Sequence, residues 1–81
     1  MPTSPDADLA TRVRSPAALG RAIRAARSRA GLTQAELAER ARANRYAIVQ
    51  LEAGHETRAI EILFDTLAAL DLELAVRPRS G

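Results

Sequence analysis

Apolar residues recur with a helical period in four stretches of this chain and with a strand period in one. Leu19, Ala22, Ile23, Ala26 and Ala30 form the first stripe, with Ser15-Pro16 ahead of it. Serine supplies a capping oxygen, and proline is tolerated at a first helical position because the N–H it lacks has no intrahelical partner there. Gly31 follows the stripe and predicts a left-handed stop. Thr33-Gln34-Ala35-Glu36 is a capping box, which opens a second helix reaching about Ala41, with Leu37, Ala38 and Ala41 inward. A helix of about two turns is not stable alone and must be held by packing. Asn44 caps a third helix, about Arg45 to Ala53, stopped by Gly54, with Ile48 and Leu51 inward. Thr57 caps a fourth, whose Ile60, Leu63, Phe64, Leu67 and Leu70 make the strongest stripe, a core face first and partly an interface.

The period then changes. Leu72, Leu74 and Val76 alternate with less apolar residues up to Arg77, a strand closed by Pro78. Met1 to Asp8 is polar with two prolines and is expected to be poorly ordered. The division expected is a flexible lead-in over 1–14, a folded helical domain over 15–70, a strand over 71–77 and a tail over 78–81. The fold class expected is mainly all-α, with four or five helices and one C-terminal strand. A single strand leaves backbone groups unpaired along both edges. Thr11 to Arg14 is a weak partner for it, so the economical pairing is with the same segment of a second copy, antiparallel about a two-fold axis.

Composition narrows the function. A chain of 81 residues is one small domain, hiding only about 60–65% of its unfolded surface. It has no cysteine, no tryptophan and one histidine, His55. That excludes disulfide staples and argues against zinc, haem or iron–sulfur sites, which need clustered ligands. No cofactor and no metal are expected, and no nucleophile–base pair can be assembled, so an enzyme is not expected. No apolar run approaches the roughly 20 residues of a membrane span, and a cytoplasmic, nucleoid-associated protein is expected. All twelve basic residues are arginine. Residues 9–58 hold ten of them against Glu36, Glu39, Glu52 and Glu56, a net +6, whereas 59–81 is net −2. A basic front and an acidic back suit a polyanion on one side and a protein on the other.

The second and third helices, joined by three or four residues, have the form of a helix-turn-helix, whose second helix enters the major groove of DNA. Ala38 is small where the two helices meet, and Leu37, Ala41, Ala43, Ile48 and Leu51 supply the shared apolar contact. Arg45, Tyr46, Ala47, Val49 and Gln50 are left outward. Arginine can pair with guanine O6/N7 and glutamine with adenine N6/N7.

The run Arg24-x-x-Arg27-x-x-x-Gly31-Leu32-Thr33-Gln34-Ala35-Glu36-Leu37-Ala38, followed by Ile48-x-x-Leu51-Glu52-x-Gly54, resembles the lambda-repressor type (XRE) helix-turn-helix family. Ser15-Pro16 and the segment Leu70-Asp71-Leu72-Glu73-Leu74-Ala75-Val76-Arg77 resemble the HipB antitoxins within it. The likeness covers about residues 15–77. It implies base contacts from Arg45, Tyr46 and Gln50, and sugar–phosphate contacts from Thr33, Gln34, Asn44 and Arg58, with Gln34 also bracing the reading helix. It implies a structural ion pair between Arg27 and Glu52. It implies a homodimer joined through Leu70, Leu72, Leu74 and Val76, reading a palindromic operator with half-sites about 10 bp apart or a multiple of that. The function implied is a DNA-binding repressor acting as the antitoxin of a HipA-like serine/threonine kinase toxin. The alternatives are a free-standing XRE-type regulator, or chiefly a protein-binding inhibitor with weak DNA binding. Two departures stand out. Arg42 occupies a turn position that is usually glycine in the family, and Ala43 is smaller than the usual valine. A non-glycine residue in left-handed geometry costs about 1–2 kcal/mol, so the turn is expected to be either reshaped or strained.

Overall fold

The computed structural model describes residues 11–79. A short strand β1 (Thr11–Val13) leads into helix α1 (Pro16–Arg29), followed by α2 (Gln34–Arg40), α3 (Arg45–Glu52) and α4 (Arg58–Ala69), and the chain closes on β2 (Leu74–Val76). The fold is mainly helical with one small antiparallel sheet. The expectation of poor order in Met1 to Asp8 lies outside the described residues.

Each helix starts and stops by the same local chemistry. Ser15, Thr33, Asn44 and Thr57 are extended N-caps whose side-chain oxygens accept from the backbone N–H three residues on, at 2.8–3.3 Å. At Thr33 the box is complete, because Glu36 Oε1 accepts the Thr33 N–H at 2.9 Å. Each exit is a reversal through one left-handed residue: Gly31, Arg42, Gly54 and Asp71, with φ of 72, 56, 76 and 56°. The residue after each of these donates back to the last full turn, Leu32 to Arg27, Ala43 to Ala38, His55 to Gln50 and Leu72 to Leu67. That bond satisfies carbonyls a helix end otherwise leaves bare. Arg42 therefore keeps the left-handed turn that glycine would adopt freely. The turn is strained, not reshaped.

Small side chains set the packing. The buried residues are Gly20 and Ala22 of α1, Ala38 of α2, Ile48 of α3 and Val13 of β1. α3 lies against both α1 and α2. A Cβ on Gly20 would stand 2.5 Å from the carbonyl oxygens of Leu51 and Glu52, so α1 and α3 cross backbone to backbone there. Gly54 is held as closely, its Cβ position lying 2.7 Å from Ala17 Cα.

The terminal strand corrects one expectation. β2 pairs within the chain, antiparallel to β1, with Thr11 opposite Val76, Arg12 opposite Ala75 and Val13 opposite Leu74. Arg12 and Arg14 both pair with Glu73, fastening the ribbon from outside. Inside, Val13 is fully buried and packs toward α1. Residues 11–13, assigned to the lead-in by sequence, thus form part of the folded body, and β2 has one satisfied edge without a second copy. A second difference concerns α4. No residue of it is buried: Ile60, Phe64 and Leu67 are half-buried, while Ile62, Leu63 and Leu70 are exposed. Its stripe has only the narrow edge of α1 and the ribbon to rest on, which is too little chain to cover it. No helix among the described residues is long and apolar enough to cross a membrane.

Candidate nucleic-acid interface

The polar joint between α1, α2 and α3 is built around Glu52. Arg27 Nε donates to its Oε2 at 2.6 Å and Nη2 to its Oε1 at 3.0 Å, a two-point contact linking α1 to the last residue of α3. Arg27 Nη1 also donates to the Leu32 carbonyl at 2.9 Å, and Gln34 Nε2 donates to Glu52 Oε1 at 3.2 Å. The Glu52 and Arg27 side chains are only 4% and 14% exposed. The hydrogen bond from Arg27 holds the Glu52 carboxyl below the usual glutamate range, against the opposing effect of burial, and the same bond raises Arg27. Charge-assisted, paired bonds of this kind fix geometry as well as adding energy. Arg27 and Glu52 form the ion pair that the resemblance implies, and Gln34 occupies the bracing position.

In front of this joint lies a concavity of about 630 Å³, lined by Arg24, Arg27, Thr33, Gln34, Ala35 and Arg45. Three residues expected from sequence to contact DNA, Thr33, Gln34 and Arg45, meet there beside Arg27. The concavity is basic. Arg27 is neutralised by Glu52, but Arg24 and Arg45 are exposed and have no carboxylate among the described residues at ion-pairing distance. Thr33 accepts the Glu36 N–H through its Oγ1, which leaves its hydroxyl proton free to donate. Asn44, next to Arg45, caps α3 through Oδ1 and likewise keeps its NH₂ donors.

Beyond the concavity, α3 presents a ridge. Tyr46 is 70% exposed, Val49 is exposed one turn on, and Gln50 is half-buried. Residues three and four apart share one side of a helix, so these three form one surface. Arg58 stands apart from the concavity, at the start of α4, in an exposed pair with Glu61 at 3.3 Å. Such a pair is worth at most about 1 kcal/mol, so Arg58 can exchange it for another anion.

One residue escaped the sequence reading of the site. Arg24 lines the concavity, and its only signal was a position three residues before Arg27. Val49, read from sequence as an outward position available to a groove, lies between Tyr46 and Gln50 on the ridge. Four arginines of the basic front, Arg12, Arg14, Arg27 and Arg58, are engaged with carboxylates; Arg21, Arg24, Arg29, Arg40, Arg42 and Arg45 have no such partner among the described residues. On the opposite side, Leu70 and Leu72 are 63% and 56% exposed, and Leu74 and Val76 are half-buried. Among the described residues no group of three His, Cys, Asp or Glu is placed to hold a metal. No protein-family model, no curated protein and no solved structure matches the chain.

Proposed function

We propose that this protein is a sequence-specific, double-stranded-DNA-binding repressor that acts as a homodimer. The observation that carries the reading is the basic concavity at the α1–α2–α3 joint, placed directly beside the exposed Tyr46–Val49 ridge. A duplex offers a backbone phosphate next to a major groove, and an α-helix fits that groove. In this arrangement Tyr46, Val49 and Gln50 meet base edges, and Arg45 stands where groove meets backbone. Thr33, Gln34, Asn44 and Arg58 face the sugar–phosphate. The Arg27–Glu52–Gln34 network holds α3 at a fixed angle to α1 and α2.

A second copy covers the apolar side. Ile62, Leu63, Leu70 and Leu72 together expose a hydrophobic face that a small domain seldom leaves open. With the ribbon closed inside each chain, the copies meet through α4 and the outer side of β2, and two ridges related by a two-fold axis read a palindrome. The resemblance to the HipB antitoxins extends the reading to control of the protein's own operon and to neutralisation of a HipA-like serine/threonine kinase.

Fluorescence anisotropy against the upstream region of the gene and against a scrambled duplex tests the DNA reading. Tighter binding to the upstream duplex, with log K falling linearly against log salt, is expected. Equal affinity for both duplexes removes the claim of specific readout. Co-expression with the product of the adjacent reading frame tests the antitoxin role, a stable complex with suppressed kinase activity being the expected result.

A further inference from the structure

We infer that Arg24 and Arg45 together clamp a single backbone phosphate of the duplex, so that Arg45 positions the protein and leaves base discrimination to Tyr46, Val49 and Gln50. The inference rests on the DNA-binding reading and assigns the anion within it. Arg45 opens α3, where position along the helix alone permits either a base or a phosphate contact. Its neighbours decide between them: it lines one concavity with Arg24, Thr33 and Gln34, whereas Tyr46, Val49 and Gln50 of the same helix do not line it. Arg24 comes from α1, which otherwise only supports the reading helices.

The donors in that concavity suit one phosphodiester, whose two non-bridging oxygens can each accept from a guanidinium. Arg27 is occupied, since both Glu52 oxygens are taken by Arg27 and Gln34. That leaves two guanidiniums without an ion-pair partner among the described residues, Arg24 and Arg45, and one hydroxyl donor, Thr33, lining one concavity. Glu36, three residues from Thr33, has its Oε1 tied to the Thr33 N–H. Guanidinium pairs gripping one phosphate from two sides restrict its position as well as its charge. Arg24 is therefore a positioning residue, fixing the angle at which α3 enters the groove.

The test measures affinity for a duplex selected from a randomised pool by the wild-type chain, and for a scrambled duplex, across a salt series. The proteins are the full chain, Arg24→Gln, Arg45→Gln, the double variant and Gln50→Ala. All substituted side chains but Gln50 are exposed, and far-UV circular dichroism checks that each variant folds. Each arginine variant is expected to lose about tenfold on both duplexes alike. The double variant is expected to flatten the log K–log salt slope by about 0.9, the increment of one phosphate, not twice that. Gln50→Ala is expected to lose affinity on the selected duplex only. If Arg45→Gln loses affinity only on the selected duplex, with an unchanged slope, Arg45 reads a base and the clamp is refuted while DNA binding stands. An Arg24→Gln protein indistinguishable from wild type on both duplexes refutes it equally. Wild-type protein that binds neither duplex overturns the functional reading, and the clamp with it.

Discussion

Replacing Gly20 by alanine should destabilise the protein, although alanine is the better helix former. In a helix interior the exchange alone stabilises by about 0.5–1 kcal/mol. At Gly20, however, the new methyl would meet the carbonyl oxygens of Leu51 and Glu52 at 2.5 Å. An ordinary carbon–oxygen approach is about 3.3 Å, so α1 and α3 must separate by about 0.8 Å at their crossing. Both neighbours are backbone, and neither can turn aside as a flexible side chain would. Separation also loosens the packing of α3 on α1 and draws Glu52 away from Arg27, whose bonds have little slack at 2.6 and 3.0 Å. Overpacking costs about 1–3 kcal/mol, and with both obstacles in the backbone the upper half of that range, about 2–3 kcal/mol, applies; subtracting the helical gain leaves a net loss of about 1–2.5 kcal/mol. For a domain of this size that lowers Tm by about 5–15 °C, read by thermal and urea melts followed through far-UV circular dichroism. Gly31→Ala is the companion measurement. Nothing lies within 4 Å of its Cβ position, and its φ is 72°, so its loss of about 1 kcal/mol comes from conformation alone. A Gly20→Ala protein as stable as wild type, or more so, would refute the backbone-to-backbone crossing of α1 and α3.

Arg42→Gly is expected to stabilise by about 0.5–1 kcal/mol, the relief of left-handed strain less the added freedom of the unfolded chain; a lower urea midpoint contradicts the strained turn. Acid should destabilise the fold. Glu52, held down chiefly by the Arg27 hydrogen bond, and Glu36, held down by the Thr33 backbone N–H, bind protons less readily when folded than the ordinary glutamate value of 4.5 describes. The unfolded chain then takes up more protons, so the contribution is complete above about pH 4.5 and is lost as pH falls through the depressed folded values. Urea melts from pH 7 to pH 3 read this, and Glu52→Gln should remove its share of the slope; a flat profile, or an unchanged slope in Glu52→Gln, contradicts it. Finally, Leu70→Arg with Leu72→Arg should shift sedimentation equilibrium from a two-chain to a one-chain mass without unfolding, because both side chains are already exposed within one chain. A wild-type protein that stays single at all concentrations sinks the proposed dimer.

The parts of this fold legible in sequence are those set by local chemistry. Ser15, Thr33, Asn44 and Thr57 mark the helix starts because a capping oxygen acts on an N–H three residues away, and Gly31 and Gly54 mark stops because glycine accepts a positive φ. Arg42 and Asp71 make the same turn with side chains that carry no such signal, so those boundaries were visible only through what followed them. β1 was only faintly legible, as the weak partner that Thr11 to Arg14 offered the terminal strand, and for another reason. Thr11-Arg12-Val13 has too few residues to show a period, and its importance lies in Val13, which is buried only after α1 and the closing ribbon are in place. Arg24 illustrates the same limit at the site: a helical period places it on a face of α1, but only tertiary packing brings that face opposite Arg45.

The α4 stripe separates the two kinds of information most sharply. An amphipathic pattern states that an apolar face must be covered, and says nothing of what covers it. Within one chain the cover is incomplete, since Ile62, Leu63 and Leu70 remain open and Leu72 continues the same surface. The basic concavity poses the matching problem in charge: neither Arg24 nor Arg45 has a carboxylate among the described residues at ion-pairing distance, and Glu52, which acts on Arg24 through space, is already engaged by Arg27 and Gln34. One side therefore lacks apolar partners and the other lacks an anion, and the Arg27–Glu52 pair lies in the helix joint behind the basic side. In the proposed function a second copy supplies the first and a duplex the second. Because the two surfaces lie on different elements, α4 with β2 and α1 with α3, each deficit can be abolished by substitution while the other is left intact.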